Sequence, residues 1–229
     1  VLVTTEEKPE ILKIFQEACR ERHAKFFPVS NPPAAMQQDW SGQTFETPLG
    51  PLHVSLLGKH QIKNALAALQ ALFLLKKEGF TISKEAIVAG MAKAQWPGRL
   101  QVISEKPLIV LDGAHNGAGM EALRDFLQGK IPPGSILLLG ISEDKQIPEM
   151  VKLIAPLFQK VIITKGIHKP ADPVLIEIEV RKYVSEVQVI PEAAAAFLEA
   201  SRELSPEEIL VVTGSLYLVG EVLKVGKVG

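Results

Sequence analysis

Val110-Leu111-Asp112-Gly113-Ala114-His115-Asn116-Gly117-Ala118-Gly119 is the stretch on which the reading of this chain turns. A run of aliphatic residues stops there on an acid, a histidine and three glycines. Residues 108–111 are all apolar and follow Pro107, the pattern of a strand buried on both faces of a sheet. Beyond the turn, Met120, Leu123, Phe126 and Leu127 recur at helical spacing, and Asn116 stands where an N-cap is needed. The unit reads strand, tight turn, helix, which sets Asp112 and His115 at the strand's carboxyl end. In open α/β sheets ligands bind at that edge, and helix N-termini there attract phosphate. The same residues also fit a structural reading, with Asp112 as a turn former, His115 at the surface and the glycines as punctuation. Gly113, Gly117 and Gly119 do not follow the order G-x-G-x-x-G, so a dinucleotide fingerprint is not indicated.

Downstream, apolar runs and helical patterns alternate. Strands are expected near residues 101–104, 108–112, 136–140, 160–164, 186–190 and 209–213, with helices near 117–128, 147–158, 173–184, 191–203 and 215–224. Only Glu105-Lys106-Pro107 joins the first two strands, too short for a crossover, so that pair must be antiparallel. Every later link contains a helix and should be parallel and right-handed. The expected fold is α/β: a Rossmann-like, mostly parallel six-stranded sheet with one antiparallel edge strand.

Upstream, Gln95-Trp96-Pro97-Gly98-Arg99 ends a helix with Pro and Gly and marks a boundary between domains of residues 1–97 and 98–229. The first domain opens as a βαβ unit: strands at 1–4 and 25–29 flank a helix at 8–22 with Ile11, Ile14, Phe15 and Ala18 as its apolar stripe. Residues 30–40, with Pro32 and Pro33, break regular structure. Residues 44–47 and 52–57 form a hairpin around Pro48, Gly50 and Pro51, with one wet face shown by the alternation Leu52-His53-Val54-Ser55-Leu56. A helix at 59–75 follows, with Ile62, Leu66, Leu69 and Phe73 on one face, then a second helix capped by Ser83.

Composition narrows the function. A net charge of −1 and a pI near 6.6 leave no electrostatic footprint for nucleic acid or an acidic membrane, so the partner is expected to be a small molecule. Cys19 is the only cysteine, which excludes an intrachain disulfide and a thiolate zinc site and suits a reducing compartment. The chain starts on the strand-like Val1-Leu2-Val3-Thr4 without an initiator methionine, and reads as a fragment.

Further polar candidates stand beside the Asp112 turn. His60, Gln61 and Asn64 share about one helical turn; a solvated helix face is one reading. The other is ligand contact, since an Asn amide offers an acceptor and two donors that match the edge of an adenine. Arg99 suits either a helix cap, a surface ion pair or a phosphate. Gly214-Ser215 repeats the strand, turn, helix arrangement and reads as a plain cap or a second site element, and Asp144-Lys145 lies on the same sheet edge.

The order of these motifs is recognisable: Gly58-x-His60-Gln61-x-x-Asn64, Trp96-Pro97-Gly98-Arg99, Asp112-Gly113-Ala114-His115-Asn116, Asp144-Lys145, then Thr213-Gly214-Ser215-Leu216-Tyr217-Leu218-Val219-Gly220. Together they resemble the folylpolyglutamate synthase and dihydrofolate synthase family of the Mur ligase superfamily, over essentially the whole chain. By that likeness residues 1–97 are the second half of a P-loop-type central ATPase domain, and 98–229 the Rossmann-like C-terminal domain. The resemblance implies an ATP-dependent amide ligase in which a folate or pteroate carboxylate is phosphorylated and L-glutamate displaces the phosphate. It implies adenine contact by Asn64, phosphate contact by Arg99, nucleotide contact by Asp112, a catalytic His115 close to the phosphates, and glutamate contact by Ser215. It implies ATP and Mg²⁺ as cofactors, folate or dihydropteroate and glutamate as partners, and a cytoplasmic monomer without nucleic-acid or membrane contact.

Departures from the family pattern matter as much. Gly117 stands where many relatives have proline, which loosens the helix start. The loop His168-Lys169-Pro170-Ala171 lacks the arginine often found there, leaving Lys169 in its place. No G-x-x-x-x-G-K-[ST] occurs, since Gly58-Lys59 is followed by His60. The P-loop and the magnesium ligands are therefore expected upstream, and this chain alone is expected to be inactive. Two other readings remain open: a freestanding nucleotide- or protein-binding α/β module, and a Mur-type peptide ligase for cell-wall precursors, against which the pair of motifs at 96–99 and 112–116 argues. The linker at 95–100 is expected to flex, and replacing Arg99 or Asp112 is expected to spare stability.

Overall fold

The computed structural model describes residues 1–29 and 32–225, and the chain divides into two units, Val1–Gln95 and Trp96–Gly229. In the first unit β1 (Leu2–Thr4) and β2 (Phe26–Pro28) pair in parallel on either side of α1 (Pro9–Glu21), as the expected βαβ unit. The helix buries a different stripe from the one anticipated. Cys19 is buried while Ile14 is 62% exposed, because Leu12, Phe15 and Cys19 satisfy the helical period as well as the expected set does.

A three-stranded antiparallel meander follows: β3 (Gln37–Asp39), β4 (Gly42–Phe45) and β5 (Leu52–Val54). β3 falls in the segment expected to lack regular structure, of which residues 30 and 31 lie outside the described residues. Its Gln-Gln-Asp sequence is exposed throughout and carries no apolar alternation. It exists through its ladder to β4 and a bond from Gln38 Nε2 to Gln43 Oε1 of 2.9 Å. In β5, Leu52 and Val54 turn inward and His53 outward, giving the one wet face expected. Helices α2 (Lys59–Lys77) and α3 (Lys84–Ala92) complete the unit, α3 capped by Ser83, whose hydroxyl accepts from Ala86 N at 3.0 Å. Phe45, Leu52, Val54, Ile62, Leu69 and Ile87 form its core.

The second unit runs β6 (Gln101–Glu105), β7 (Leu108–Leu111), α4 (Gly117–Leu127), β8 (Ile136–Leu139), α5 (Ile147–Ile154) with a 3-10 turn at Ala155–Leu157, β9 (Lys160–Lys165), α6 (Pro173–Val180), β10 (Glu186–Glu192), α7 (Ala193–Glu203), β11 (Ile209–Thr213) and α8 (Leu216–Val225). The six strands lie in the order β10-β9-β8-β11-β7-β6, all parallel except for the antiparallel edge strand β6. This is the expected α/β sheet. Its central strands are near-continuous aliphatic runs because both faces are covered. Leu111, Leu138, Ile162, Leu210 and Val212 pack with Ala196, Phe197, Leu218 and Val222 of α7 and α8. The pleat sends Val110, Leu137, Val161 and Val211, all at 0% exposure, to the opposite face, the side left for α4, α5 and α6. Because β11 is inserted between β7 and β8, successive crossovers diverge there, and the carboxyl ends of these strands frame a crevice.

Candidate active site

Loops leaving the carboxyl ends of β7, β8, β9 and β11 line an open cleft of about 330 Å³, within the range of small-molecule sites. The first contributes His115, the second Ser142, Asp144 and Lys145, the third His168 and Lys169, the last Ser215, Leu216 and Tyr217. Their convergence follows from the sheet, since parallel strands deliver all their carboxyl ends to one edge.

Backbone bonds tie these turns together. Gly214 N donates to Ala114 O at 3.1 Å and Gly140 N to Thr213 O at 3.1 Å, joining the turns after β7, β8 and β11. Gly214 has φ +103°, and a Cβ there would lie 2.5 Å from Gly140 O, so this position demands glycine. Next to it Ser215 is 3% exposed, and its hydroxyl accepts from Tyr217 N at 3.2 Å. Ser215 thus helps begin α8 and also lines the cleft. The β9 loop is laced to the β8 loop by Glu143 N to Lys169 O and Ala171 N to Ile141 O, both 2.9 Å, with Lys169 held at φ +41°. The rings of His168 and Tyr217 lie 4.4 Å apart, tilted by 35°. Lys145 Nζ donates to Asp144 at 2.8 Å, and that bond holds the Asp144 carboxyl below its ordinary pKa.

His115 Nδ1 lies 2.8 Å from Gly113 O. A carbonyl oxygen only accepts, so Nδ1 carries the hydrogen and Nε2 is the ring nitrogen left to meet a ligand. Asn116 caps α4, its Oδ1 accepting from Gly119 N at 2.8 Å. The α4 terminus is not the open phosphate cradle its sequence suggests. Glu149 Oε1 lies 2.1 Å from where a Cβ on Gly117 would stand, so a carboxylate already rests at the first turn.

Asp112 ties the linker to the sheet. Its Oδ1 accepts from Ala114 N and its Oδ2 from Leu100 N, each at 2.8 Å; Gly113 N adds a bond to Gly98 O at 2.6 Å. The turn-forming reading is therefore correct in part, and residues 98–100 are removed from the expected hinge. Burial pushes the Asp112 carboxyl above its ordinary value, against the opposing bonds from Leu100 and Ala114 and the charges of Arg99 and His115. Arg99 is exposed, its guanidinium carbon 5.7 Å from the centre of the Trp96 ring. Arg99, Asp112, His115 and Ser215 all belong to this unit, and the first and third are close enough to act electrostatically on Asp112.

Asn64 belongs to the first unit. Gln43 Nε2 donates to Leu56 O at 2.8 Å and Gly58 O at 2.9 Å, fixing the loop that enters α2. In the first turns of α2, Gln61 is 2% exposed while Asn64 is exposed, so a uniformly solvated face is not what forms. Asn64 Nδ2 donates to Gln61 Oε1 at 2.9 Å; Gln61 Nε2 has no hydrogen-bond partner among the described residues. Leaving such a donor buried costs about 1–3 kcal/mol. Sequence reasoning did not single out Ser142, His168 or Tyr217 as site residues; their signal was position alone, just beyond a strand's carboxyl end.

The family described as Mur ligase, glutamate ligase domain, matches residues 98–216. The chain belongs to that family. Among curated members with related sequences, the Bacillus subtilis dihydrofolate synthase/folylpolyglutamate synthase is 28% identical over 243 residues, covering 97% of this chain and 54% of that protein. The crystal structure of folylpolyglutamate synthase from Thermotoga maritima superposes with a TM-score of 0.82 at 29% identity, over 97% of this chain and 53% of that one. Mycobacterium tuberculosis folylpolyglutamate synthase, solved with ADP and AMPPCP, shares the fold at 21% identity and a TM-score of 0.80, over 98% of this chain and 54% of that one. The chain thus spans about half the length of these Mur ligase relatives.

Proposed function

We propose that this chain is part of an ATP-dependent amide ligase that adds L-glutamate to folate or dihydropteroate through an acyl phosphate, acting on small molecules as a cytoplasmic monomer. The observation that carries the reading is the cleft: His115, Lys145, His168, Lys169 and Ser215 gather cationic and hydroxyl groups at the sheet edge of a glutamate ligase domain, as an amino-dicarboxylate requires. In this reading residues 1–97 are the second half of the central ATPase domain and 98–229 the C-terminal domain.

Asn64 meets the adenine, Asp112 the nucleotide, and Arg99, steadied by the Trp96 ring, offers its fork to phosphate. The motif order and the fold shared with an ADP-bound protein support ATP here. His115 presents Nε2 to the phosphoryl and acyl centre, where one preorganised contact to developing charge is worth about 10²–10³ in rate. Ser215 donates to a glutamate carboxylate. Among the described residues no three of His, Cys, Asp and Glu stand together to hold a metal ion. These residues do not fit Mg²⁺; the resemblance assigns its ligands, with the P-loop, to a region outside this chain.

The test is kinetic, in the ligase that carries this chain, with dihydropteroate and a reduced folate offered as alternative acceptors. His115→Ala should lower kcat by about 10²–10³, and Ser215→Ala should raise KM for glutamate more than it lowers kcat. The 229-residue chain alone should release no ADP in response to glutamate. A ligase indifferent to both substitutions, or one preferring another amino acid, would end the reading.

A further inference from the structure

The cleft at the sheet edge is cationic with one exception. Lys145 and Lys169 bring positive charge to it, and Asp144 is the one acid among the described residues that line it. Cations alone would favour the wrong ligand for an enzyme that joins amino acids. Glutarate, which is glutamate without its amino group, carries two negative charges and no positive one, so a purely cationic cleft attracts it more strongly than glutamate. An acid in the cleft reverses that order.

Asp144 is placed to do so. It stands on a pinned turn, in which Glu143 N donates to Lys169 O at 2.9 Å, Lys145 N to Ser142 O at 3.1 Å and Ile147 N to Lys145 O at 3.0 Å. Lys145 Nζ donates to Asp144 Oδ2 at 2.8 Å, and the acid is the more open side chain of the two, at 59% exposure against 30%. That bond is the main cause holding the carboxyl below its ordinary pKa, and so anionic. The pair presents a negative and a positive group side by side. The α-centre of glutamate presents the reverse, an ammonium and a carboxylate on one carbon, and the two fit head to tail. We infer that Asp144 is a specificity-determining residue, which takes the α-ammonium of glutamate while Lys145 meets the neighbouring carboxylate, and which repels dicarboxylates that lack the amine. The inference rests on the reading of this cleft as the glutamate site. The contact persists when the ammonium loses a proton, since the amine keeps N–H groups to donate to the same carboxylate.

The experiment measures KM for glutamate, and Ki for glutarate as its competitor, in the ligase that carries this chain, with wild type, Asp144→Asn, Asp144→Glu and Ser215→Ala. Asp144→Asn should raise KM for glutamate by about 10-fold, the low end for a hydrogen bond between charged groups because Asp144 is open to solvent. The same substitution should lower Ki for glutarate, and Asp144→Glu should restore the preference for the amino acid. A merely structural role, or one confined to holding Lys145, would move the two ligands together. If Asp144→Asn weakens both by the same factor, tightens both or changes neither, while Ser215→Ala still raises KM for glutamate, the inference falls and the glutamate site stands. Glutarate that inhibits neither wild type nor Asp144→Asn overturns it as well. If neither Ser215→Ala nor Asp144→Asn alters KM for glutamate, the cleft is not the glutamate site, and the inference falls with that reading.

Discussion

Asp112 and Arg99 were expected to behave alike on substitution, and their surroundings separate them. The Asp112 carboxylate satisfies two backbone N–H groups, at Leu100 and Ala114, whereas Arg99 is exposed with its guanidinium beside the Trp96 ring. An asparagine at 112 offers one acceptor oxygen and turns an NH₂ toward the other donor. Asp112→Asn should therefore destabilise the unit by about 1–3 kcal/mol, and Arg99→Ala by no more than about 0.5, in urea unfolding. The pH dependence has an unusual sign. Burial raises the folded-state pKa above the 3.8 of the free carboxyl, so the native state binds more protons than the unfolded one just above that value. The contribution of Asp112 thus favours folding at low pH and is lost as pH rises through the folded pKa. The stability advantage of wild type over Asp112→Asn should shrink between pH 4 and neutrality; an advantage that grows with pH would mean the carboxylate is favoured, and the account of its burial wrong.

At the scale of elements, the start of α4 shows how a loop glycine is tolerated and how it can be improved. Gly117 occupies the first helical position, where a proline loses no intrahelical hydrogen bond, and the atom nearest a new Cβ is the far end of the flexible Glu149 side chain. Gly117→Pro should raise stability by about 0.4–1 kcal/mol through the unfolded state, read as a higher urea midpoint at unchanged slope. A loss instead would show that the Glu149 carboxylate is fixed at the helix start. The same element explains what was legible in the sequence. Asn116, the 3.6-residue recurrence of Met120, Leu123 and Leu127, and the unbroken aliphatic run of β7 are local signals, and they placed the strand, cap and helix. The parallel sheet followed because the links between strands were long enough for helices. β3 was missed because an edge strand of Gln-Gln-Asp owes its existence to a neighbour's backbone and leaves no pattern in its own side chains. Gln61 was singled out as a polar candidate but not as a buried one, and the cleft residues His168 and Tyr217 were missed, for a related reason: burial of a helix glutamine and the stacking of two rings 49 positions apart are products of tertiary structure.

For the molecule as a whole, the deciding quantity is where apolar surface is buried. Among the described residues, the core cluster of the first unit comprises seven buried residues, and β1 and β2 are only half-buried or exposed. In the second, one face of the sheet alone holds fourteen. Each unit has its own core, and the bonds from Gly98 and Leu100 to the end of β7 make the linker's last residues part of the second. Calorimetry of the chain should accordingly show two transitions, the first unit melting at the lower temperature. Leucine truncations assign them. Leu52, at 0% exposure in β5, and Leu138, at 0% in β8, each lie in one core only. Leu→Ala at such sites costs about 2–5 kcal/mol, which in domains of this size moves a transition by on the order of 10 °C. Leu52→Ala should lower the first transition and leave the second in place, and Leu138→Ala the reverse. A single transition shifted equally by both substitutions would show that the two cores unfold as one cooperative unit, and that the division seen in the chain's contacts is not a division in its energetics.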